Sequence, residues 1–542
     1  MKKTDYVNKT LEFINNNNFT EINKDPTKIF QQELKDAIKQ CPQIIPKETT
    51  YKYLNSNPKA PTLKTLPKTH KTDIPMRPIV NNINAPTHKI AKLVSKILKD
   101  EIILNNSFSI KSTKDVVNNL EKLNINEKTK MVSLDIKNLY TNIPVNETIK
   151  IIERLLKNQN YDKEKLAQLL ILLRTIAKQN YFQFNNKFYK QNDGLAMGNP
   201  TSGILSEIFL QSIEDQHIEN IRKTHNIIFY NRYVDDTLLL YNDNNDSSES
   251  ILSAFNKVHN NLTFTMEKEL NNKINFLDLQ ITKSNQTISF DIYRKPTATD
   301  HAININSYHP YEHKISTFHY LINRLIQIPL SKFNYNKELN HIIQLAIVNG
   351  FNKKIILNLL RKKRFKMRNK IDSTLNEQDP NNNKKYFAMT YLKGISNKLG
   401  SFFKKENINI AYQVNNNIKT LINNNINNES IFNKNGIYKL TCKTCRLPYI
   451  GRTKRTFKER YKEHVADFKY KREKSNFAKH LINSSHELDT IENTMKIIKT
   501  NHSLKTLNTA EEYYINKEHK KTGKIINEII TNQNNPLFDI PV

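Results

Sequence analysis

The sequence has no tryptophan, three cysteines and nine glycines in 542 residues, and each shortage narrows what the chain can be. Three thiols cannot build the disulfide scaffold of a small secreted domain, which points to a reducing, intracellular compartment. No apolar run reaches the roughly 18 residues needed to span a bilayer, no lipidation motif is present, and the N-terminal stretch MKKTDYVNKTLEFINNNNF has no apolar core of secretory length. Acidic residues are the other shortage: 52 Asp and Glu stand against 84 Lys and Arg, for a formal net charge of +32. Charge of that size repels itself in a compact state, so a polyanionic partner is expected, with nucleic acid ahead of an anionic membrane surface. An Asn- and Lys-rich compositional bias accounts for part of the excess.

What is present is aromatic and long. The 24 Tyr and 25 Phe supply bulky core material, and the length calls for several domains. Residues 1–60 read as a polar helical extension with a thin apolar face in Leu11, Phe13, Ile14, Leu34 and Ile38. A Pro-punctuated basic layer follows at 62–84, then a helix near 91–103 and an α+β block at 131–296. Beyond His309 the chain turns helical and basic, ending in RKKRFKMRNK at 361–370. An Asn-rich stretch, VNNNIKTLINNNINNES at 414–430, reads as part of an extended linker before a second compact unit. No internal repeat is evident, and nothing in the chain sets an oligomeric state.

Within the central block, YNRYVDDTLLLY places Asp235 and Asp236 between two apolar runs that suit paired strands. Tight hairpins prefer Asn-Gly or Asp-Gly at the tip, so a second Asp there needs a cation to neutralise it. Upstream, KMVSLDIKNLYTNIP ends a short buried strand at Asp135. If these strands are neighbours, three carboxylates converge and would bind Mg²⁺, a hard cation with oxygen ligands. An Asp pair alone is more often a solvated turn. Three further stretches shift the weighting. GLAMGNPTSGILSEIFL at 194–210 holds three of the nine glycines and leads into a helix capped near Thr201 or Ser202, letting backbone approach a nucleotide closely. Lys68, Lys71 and Arg77 suit a triphosphate, Arg77 by its guanidinium fork. INFLDLQITKSNQTISFDIYRKPT reads as a hairpin pairing Leu277, Leu279 and Ile281 with Ile288, Phe290 and Ile292.

Taken in order, these motifs resemble a reverse transcriptase palm: SLDIKNLYTNIP the first catalytic motif, AMGNPTSGILSEIFL the template and dNTP motif, YVDD the active-site hairpin. LPKTHK…MRPIV, FLDLQI and YRKPTATDHAININSYHP are particularly similar to Penelope-like retroelements, a group related to telomerase reverse transcriptases. The resemblance spans roughly 60–330. It implies Asp135, Asp235 and Asp236 as ligands of two Mg²⁺ ions, Arg77 as a triphosphate contact with Lys68 and Lys71 nearby, and Gly198 and Pro200 beside the nucleotide. Tyr140 matches the position that blocks a ribose 2′-hydroxyl, with an ordinary core tyrosine as its bland alternative. The basic helices would be a thumb on template–primer phosphates.

The last unit contains GIYKLTCKTCRLPYIGRTKRTFKERYKEH. Two short strands, each with a Tyr, precede a helix whose Arg460 and His464 share a face at i and i+4. The stretch resembles a GIY-YIG endonuclease, which implies Tyr438 and Tyr449 acting on the attacking water, Arg460 on the scissile phosphate, and His464 assisting. For the family's carboxylate and Asn, AEEYYINKEHKKTGKIINE offers Glu512 and Asn527, with Glu511 the adjacent alternative; the carboxylate would hold one Mg²⁺ or Mn²⁺. Cys442 and Cys445 form C-x-x-C, and His480 and His486 complete a four-ligand structural zinc set, an arrangement Penelope-like endonucleases resemble. Cys41 has no evident partner.

The fold class expected is therefore α+β multidomain: a right-hand polymerase with fingers, a mixed α/β palm and thumb, plus a small α/β GIY-YIG nuclease domain. Its domains are a helical extension at 1–60, fingers and palm at 61–310, thumb at 311–375, an Asn-rich linker at 376–430 and the nuclease at 431–542. The function expected is RNA-directed DNA polymerisation joined to DNA nicking in target-primed retrotransposition, with RNA template, DNA primer or target and dNTPs as partners, no membrane, and a nuclear location in a eukaryotic host. The rival is a host-adopted or decayed nucleic-acid-binding relative of telomerase reverse transcriptase.

Overall fold

The computed structural model describes residues 1–17, 19–68, 74–104, 108–243, 248–284, 286–299, 301–372, 385–414, 430–500 and 507–528. In chain order the first nine strands are β1 (Phe19–Ile22), β2 (Thr62–Pro67), β3 (Met76–Asn81), β4 (Thr129–Ile136), β5 (Tyr181–Phe184), β6 (Lys187–Gln191), β7 (Ile227–Tyr233), β8 (Asp236–Asn242) and β9 (Phe264–Lys268). They form a five-stranded sheet of order β1-β6-β5-β2-β3 and an antiparallel four-stranded sheet of order β7-β8-β4-β9.

Leu238, Leu239 and Leu240 form a continuous apolar run because β8 is covered on both faces. Alternate residues feed separate cores, as the two-residue period of a strand requires. Leu239 and Tyr241 join Val132, Leu134 and Ile136 in the main helical core, whereas Leu238 and Leu240 join Met131 and Phe229 against Ile274, Phe276 and Ile281. The latter residues belong to a second layer, the three-stranded sheet of β10 (Lys273–Phe276), β11 (Leu279–Ser284) and β12 (Thr287–Ile292). Its register pairs Leu279 with Ile292 and Ile281 with Phe290, while Lys283 faces Ile288. The expected pairing of Leu277 is corrected: at φ 55° it makes the turn between β10 and β11.

The N-terminal residues are not a separate extension. β1 is the edge strand on β6, with Phe19 opposite Gln191, and Tyr6 and Thr10 hydrogen-bond Thr65 of β2 at 2.9 and 2.6 Å. The thin apolar face is a docking stripe: Leu34, Ile38 and Cys41 lie in the main core with Leu166, Leu169 and Leu173. Burial pushes the Cys41 thiol up to about 11, so it stays protonated and inert.

Helices Tyr311–Gln327, Lys332–Val348 and Lys353–Asp372 pack round Phe318, Ile322, Ile342 and Ile356. Glu338, buried among them, accepts from Arg294 and Arg324 and so joins this unit to the strand layer.

The linker assignment at 376–430 is corrected in part. β13 (Lys385–Thr390), helix Ser396–Lys405 and β14 (Ile408–Gln413) make a parallel β–α–β unit, anchored by edge-to-face contacts of Tyr391 with Tyr308 and Tyr412. Asparagine on either side masked the strand pattern of this stretch. The Asn-rich run from 415 to 429 lies outside the described residues.

The C-terminal unit is a three-stranded antiparallel sheet, β16-β15-β17, from β15 (Gly436–Thr441), β16 (Pro448–Thr453) and β17 (Met495–Thr500). Again the central strand serves two cores: Tyr438 and Leu440 pack with Phe457 and Phe477, and Ile437 with Leu507 and Ile515. No helix among the described residues is long and apolar enough to cross a membrane.

Candidate functional site

β4 and β8 bring the three aspartates together. Asp135 and Asp236 are direct partners across the ladder. Asp235 sits beside them in the two-residue turn between β7 and β8, where its carbonyl accepts from the Ile136 N–H at 3.2 Å. Burial, then the charges of Asp235 and Asp135, push the Asp236 carboxyl up to about 6, with Lys295 only partly offsetting them. That is the signature of uncompensated negative charge, and three oxygen donors at one strand end fit a hard divalent cation.

The other central residue of the turn, Val234, has φ 57°, the left-handed region that costs a β-branched residue about 1–2 kcal/mol. Beneath it lies Arg232, 1% exposed. Its Nε and one terminal nitrogen grip Glu214 at 2.6 and 3.0 Å, both terminal nitrogens reach Glu207 at 3.1 Å, and one donates to the Val234 carbonyl at 3.1 Å. Tyr230 also donates to Glu214, at 3.0 Å. Sequence reasoning missed this network. Its signal was an arginine inside an apolar strand, with two glutamates seven residues apart on one face of a largely apolar helix.

That helix, Ser202–Thr224, starts just past the glycine loop. Gly194 and Gly198 are obligatory: both have positive φ, and an added Cβ would lie 2.2 Å from the Thr141 and Val80 carbonyl oxygens respectively. The loop is tied to its neighbours by Leu195 N–H donating to the Tyr140 carbonyl at 2.6 Å and Val80 N–H to that of Met197 at 2.8 Å. The helix is capped by Asn199, whose side-chain oxygen accepts from the Thr201 N–H at 3.1 Å and hydroxyl at 3.0 Å; neither Thr201 nor Ser202 supplies the cap. Pro200 and Tyr140 are half-buried, Tyr140 against the main core. Arg77 is exposed on β3 opposite Leu66, Lys68 closes the β2–β3 connection through its N–H to Pro75 at 3.0 Å, and Lys71 lies outside the described residues.

In the C-terminal unit, helix Phe457–Lys469 opens on a Thr456–Glu459 capping box and presents Arg460 and His464 to the same phenol. Tyr438, 0% exposed, lies 2.8 Å from His464 Nε2 and accepts from Arg460 Nε at 3.2 Å. His464 Nδ1 is 2.9 Å from the Ser475 hydroxyl. Burial, then Arg460, depress the imidazole to about 3, so it is neutral, with one ring nitrogen against the Tyr438 hydroxyl and the other against that of Ser475. Gly451 stands opposite Tyr438 because a Cβ there would sit 2.5 Å from the phenol oxygen. Tyr449 is half-buried and also receives a hydrogen bond from Arg460.

Of the two adjacent glutamates, Glu511 is the one at the site. Its carboxylate meets Arg452 at 2.8 Å, it feels Arg460 and raises both phenols, and burial lifts its own pKa. Glu512 is exposed on the next helical position. The Asn527 amide bridges the Ile450 N–H and carbonyl at 2.9 and 2.8 Å, pinning β16 between Tyr449 and Gly451.

Cys442, Cys445, His480 and His486 converge, their ligand atoms all within 4.8 Å of one another. Sulfur-to-nitrogen separations of 3.4 Å for Cys442–His486 and 3.3 Å for Cys445–His480 suit the edges of a tetrahedral site.

Residues 69–321 match the family model described as reverse transcriptase (RNA-dependent DNA polymerase), and residues 301–361 match an animal helix-turn-helix domain. The telomerase reverse transcriptase of Euplotes aediculatus is 32% identical over 120 residues, a match covering 21% of this chain and 11% of that protein. Among solved structures, telomerase from Candida albicans with a fragment of telomeric RNA aligns at 14% identity and TM-score 0.44, over 69% of this chain and 65% of that one. Apo telomerase from Candida Tropicalis aligns at 13% identity and TM-score 0.36, over 63% and 68%. The chain thus carries a reverse transcriptase domain, and Asp135, Asp235 and Asp236 all lie inside it.

Proposed function

We propose that this chain, starting from its reverse transcriptase domain, extends DNA 3′ ends on an RNA template with dNTPs, and that its C-terminal unit nicks the DNA that supplies those ends. The observation that carries the polymerase reading is the convergence of three carboxylates, where burial and then the charges of Asp235 and Asp135 lift Asp236 to about 6. Two Mg²⁺ ions held by Asp135, Asp235 and Asp236 would activate the 3′-hydroxyl and neutralise the leaving pyrophosphate. The protein supplies the rest. Gly198 and Pro200 bring backbone against the nascent pair, Arg77 with Lys68 and Lys71 meets the triphosphate, and the Tyr140 ring excludes a 2′-hydroxyl. The basic helices between Tyr311 and Asp372 would track duplex phosphates as a thumb.

For the C-terminal unit, the Tyr438, Arg460 and His464 contacts support a GIY-YIG type of hydrolysis. Tyr438 is sealed from water, so its role is to orient Arg460 toward the scissile phosphate while His464 holds its proton. Tyr449, half-buried, is the phenol available to the attacking water. Glu511 would hold the single Mg²⁺ or Mn²⁺ that stabilises the leaving oxygen, and zinc on Cys442, Cys445, His480 and His486 would staple the loop between β15 and β16 to helix Asn476–Asn483. Joined in one chain, nicking and extension make the target-primed cycle of a Penelope-like element, which acts on chromosomal DNA in the nucleus.

Primer extension on poly(rA)/oligo(dT) with dTTP and Mg²⁺ tests the reading. Wild type should extend and Asp235→Asn should lose at least about 10³-fold in rate while still nicking plasmid. Extension that survives in Asp235→Asn would sink it.

A further inference from the structure

Arg232 is the large buried side chain that neither proposed activity uses. All five of its N–H donors are spent, two on Glu214, two on Glu207 and one on the Val234 carbonyl. Its backbone is fixed as well: its N–H donates to Phe108 and its carbonyl accepts from Ile110, each at 2.9 Å. Packing alone does not call for such an arrangement, since an apolar side chain fills a buried site at no desolvation cost. What an apolar residue cannot do is reach the carbonyl of Val234, which holds φ 57° next to Asp235. A non-glycine residue keeps that conformation only when its surroundings impose it. The two glutamates that anchor the grip lie on the helix that begins directly after Gly198 and Pro200.

We propose that Arg232 is a positioning residue for the catalytic turn: clamped on Glu207 and Glu214, it holds the Val234 carbonyl so that Asp235 stays beside Asp135 and Asp236, and it ties that position to the helix behind the nucleotide loop. The inference rests on the polymerase reading. Lysine keeps the charge but has no planar fork to span two carboxylates and a carbonyl at once. Glycine at 234, in contrast, adopts positive φ without strain and should need the clamp less.

The test uses the full chain with poly(rA)/oligo(dT), dTTP and Mg²⁺, together with amide hydrogen exchange over residues 227–242 in the absence of substrate. Arg232→Lys should lower kcat by roughly 30-fold or more with KM for dTTP within about 3-fold. Exchange in the turn should rise about 10-fold or more while that of helix Lys163–Lys178 is unchanged. Adding Val234→Gly should restore about 5-fold or more of the lost rate. If Arg232→Lys fails to fold, Glu207→Gln, which keeps shape and leaves Glu214 in place, should show the same pattern at smaller amplitude, again relieved by Val234→Gly. A fall in kcat with unchanged turn exchange, or one that Val234→Gly does not relieve, overturns the proposal while leaving the polymerase reading intact. An inactive wild type overturns the polymerase reading and this inference with it.

Discussion

In the polymerase core, β4 and β8 end in three carboxylates at a turn that reaches solvent; in the C-terminal unit, β15 carries Tyr438 to a buried point between Arg460 and His464. Both sites are mounted on a central strand with a core on each face, so both are rigid. They differ in the charge they carry. The first gathers three carboxylates, and burial together with the charges of Asp235 and Asp135 raises Asp236 to about 6. The second presents the Arg460 guanidinium among neutral polar groups, with Glu463 pairing one of its terminal nitrogens at 2.8 Å and Glu511 close by. On the proposed reading, the first site is completed by two divalent cations, while the second needs one and relies on Arg460 to meet the substrate phosphate.

The strongest way to break this contrast is Arg460→Ala. Nicking of supercoiled plasmid should fall about 10²–10³-fold with primer extension unchanged; joint loss of both would mean the sites are not independent. Glu511→Gln should lower nicking roughly 10-fold or more, whereas Glu512→Gln should leave it within about 2-fold, because only the first reaches the phenols. The reverse ranking, read on the same plasmid assay, would assign the carboxylate to the exposed position. Gly451→Ala drives a methyl into the Tyr438 ring and should cost the C-terminal unit about 1–3 kcal/mol in thermal or denaturant unfolding, with polymerase activity retained.

The smallest effect sharpens the electrostatic side. His464 is depressed to about 3 when folded, against an ordinary value of 6.5, so the unfolded chain takes up the proton first as pH falls. Its stabilising contribution is complete above about 6.5 and drains away toward about 3. His464→Gln should therefore flatten the loss of stability of this unit between pH 7 and pH 4.5; an equal slope in both proteins would mean that the imidazole titrates freely.

The convergence of Asp135, Asp235 and Asp236 was legible because strand alternation and a glycine-poor turn are local properties. The helix face of Arg460 and His464 was legible for the same reason, through i, i+4 spacing. What escaped depended on docking. Glu511 and Glu512 are equivalent in sequence, and only the seating of helix Leu507–Thr522 on the sheet turns one of them inward. The partner of Asn527, the backbone of Ile450 between Tyr449 and Gly451, lies far from it in the chain. The N-terminal stripe read as a weak helical face because its partner, helix Lys163–Lys178, is far away in the chain. The β–α–β unit at 385–413 was hidden by flanking asparagine. Arg232 escaped because a lone arginine in a strand looks like a surface residue until the two glutamates opposite it are known.

The division of β8 between two cores also limits how this hairpin can change over time. Inserting or deleting one residue in β8 would exchange the contents of both cores at once and break its register with Asp135 on β4, whereas β7 already absorbs a one-residue shift between Ile227 and Phe229. Only changes of two residues preserve the alternation, and those move the aspartates along the sheet by a full repeat. Length variation among descendants of this chain should therefore collect outside this strand, leaving the count from Asp236 to Asn242 fixed while its individual side chains drift.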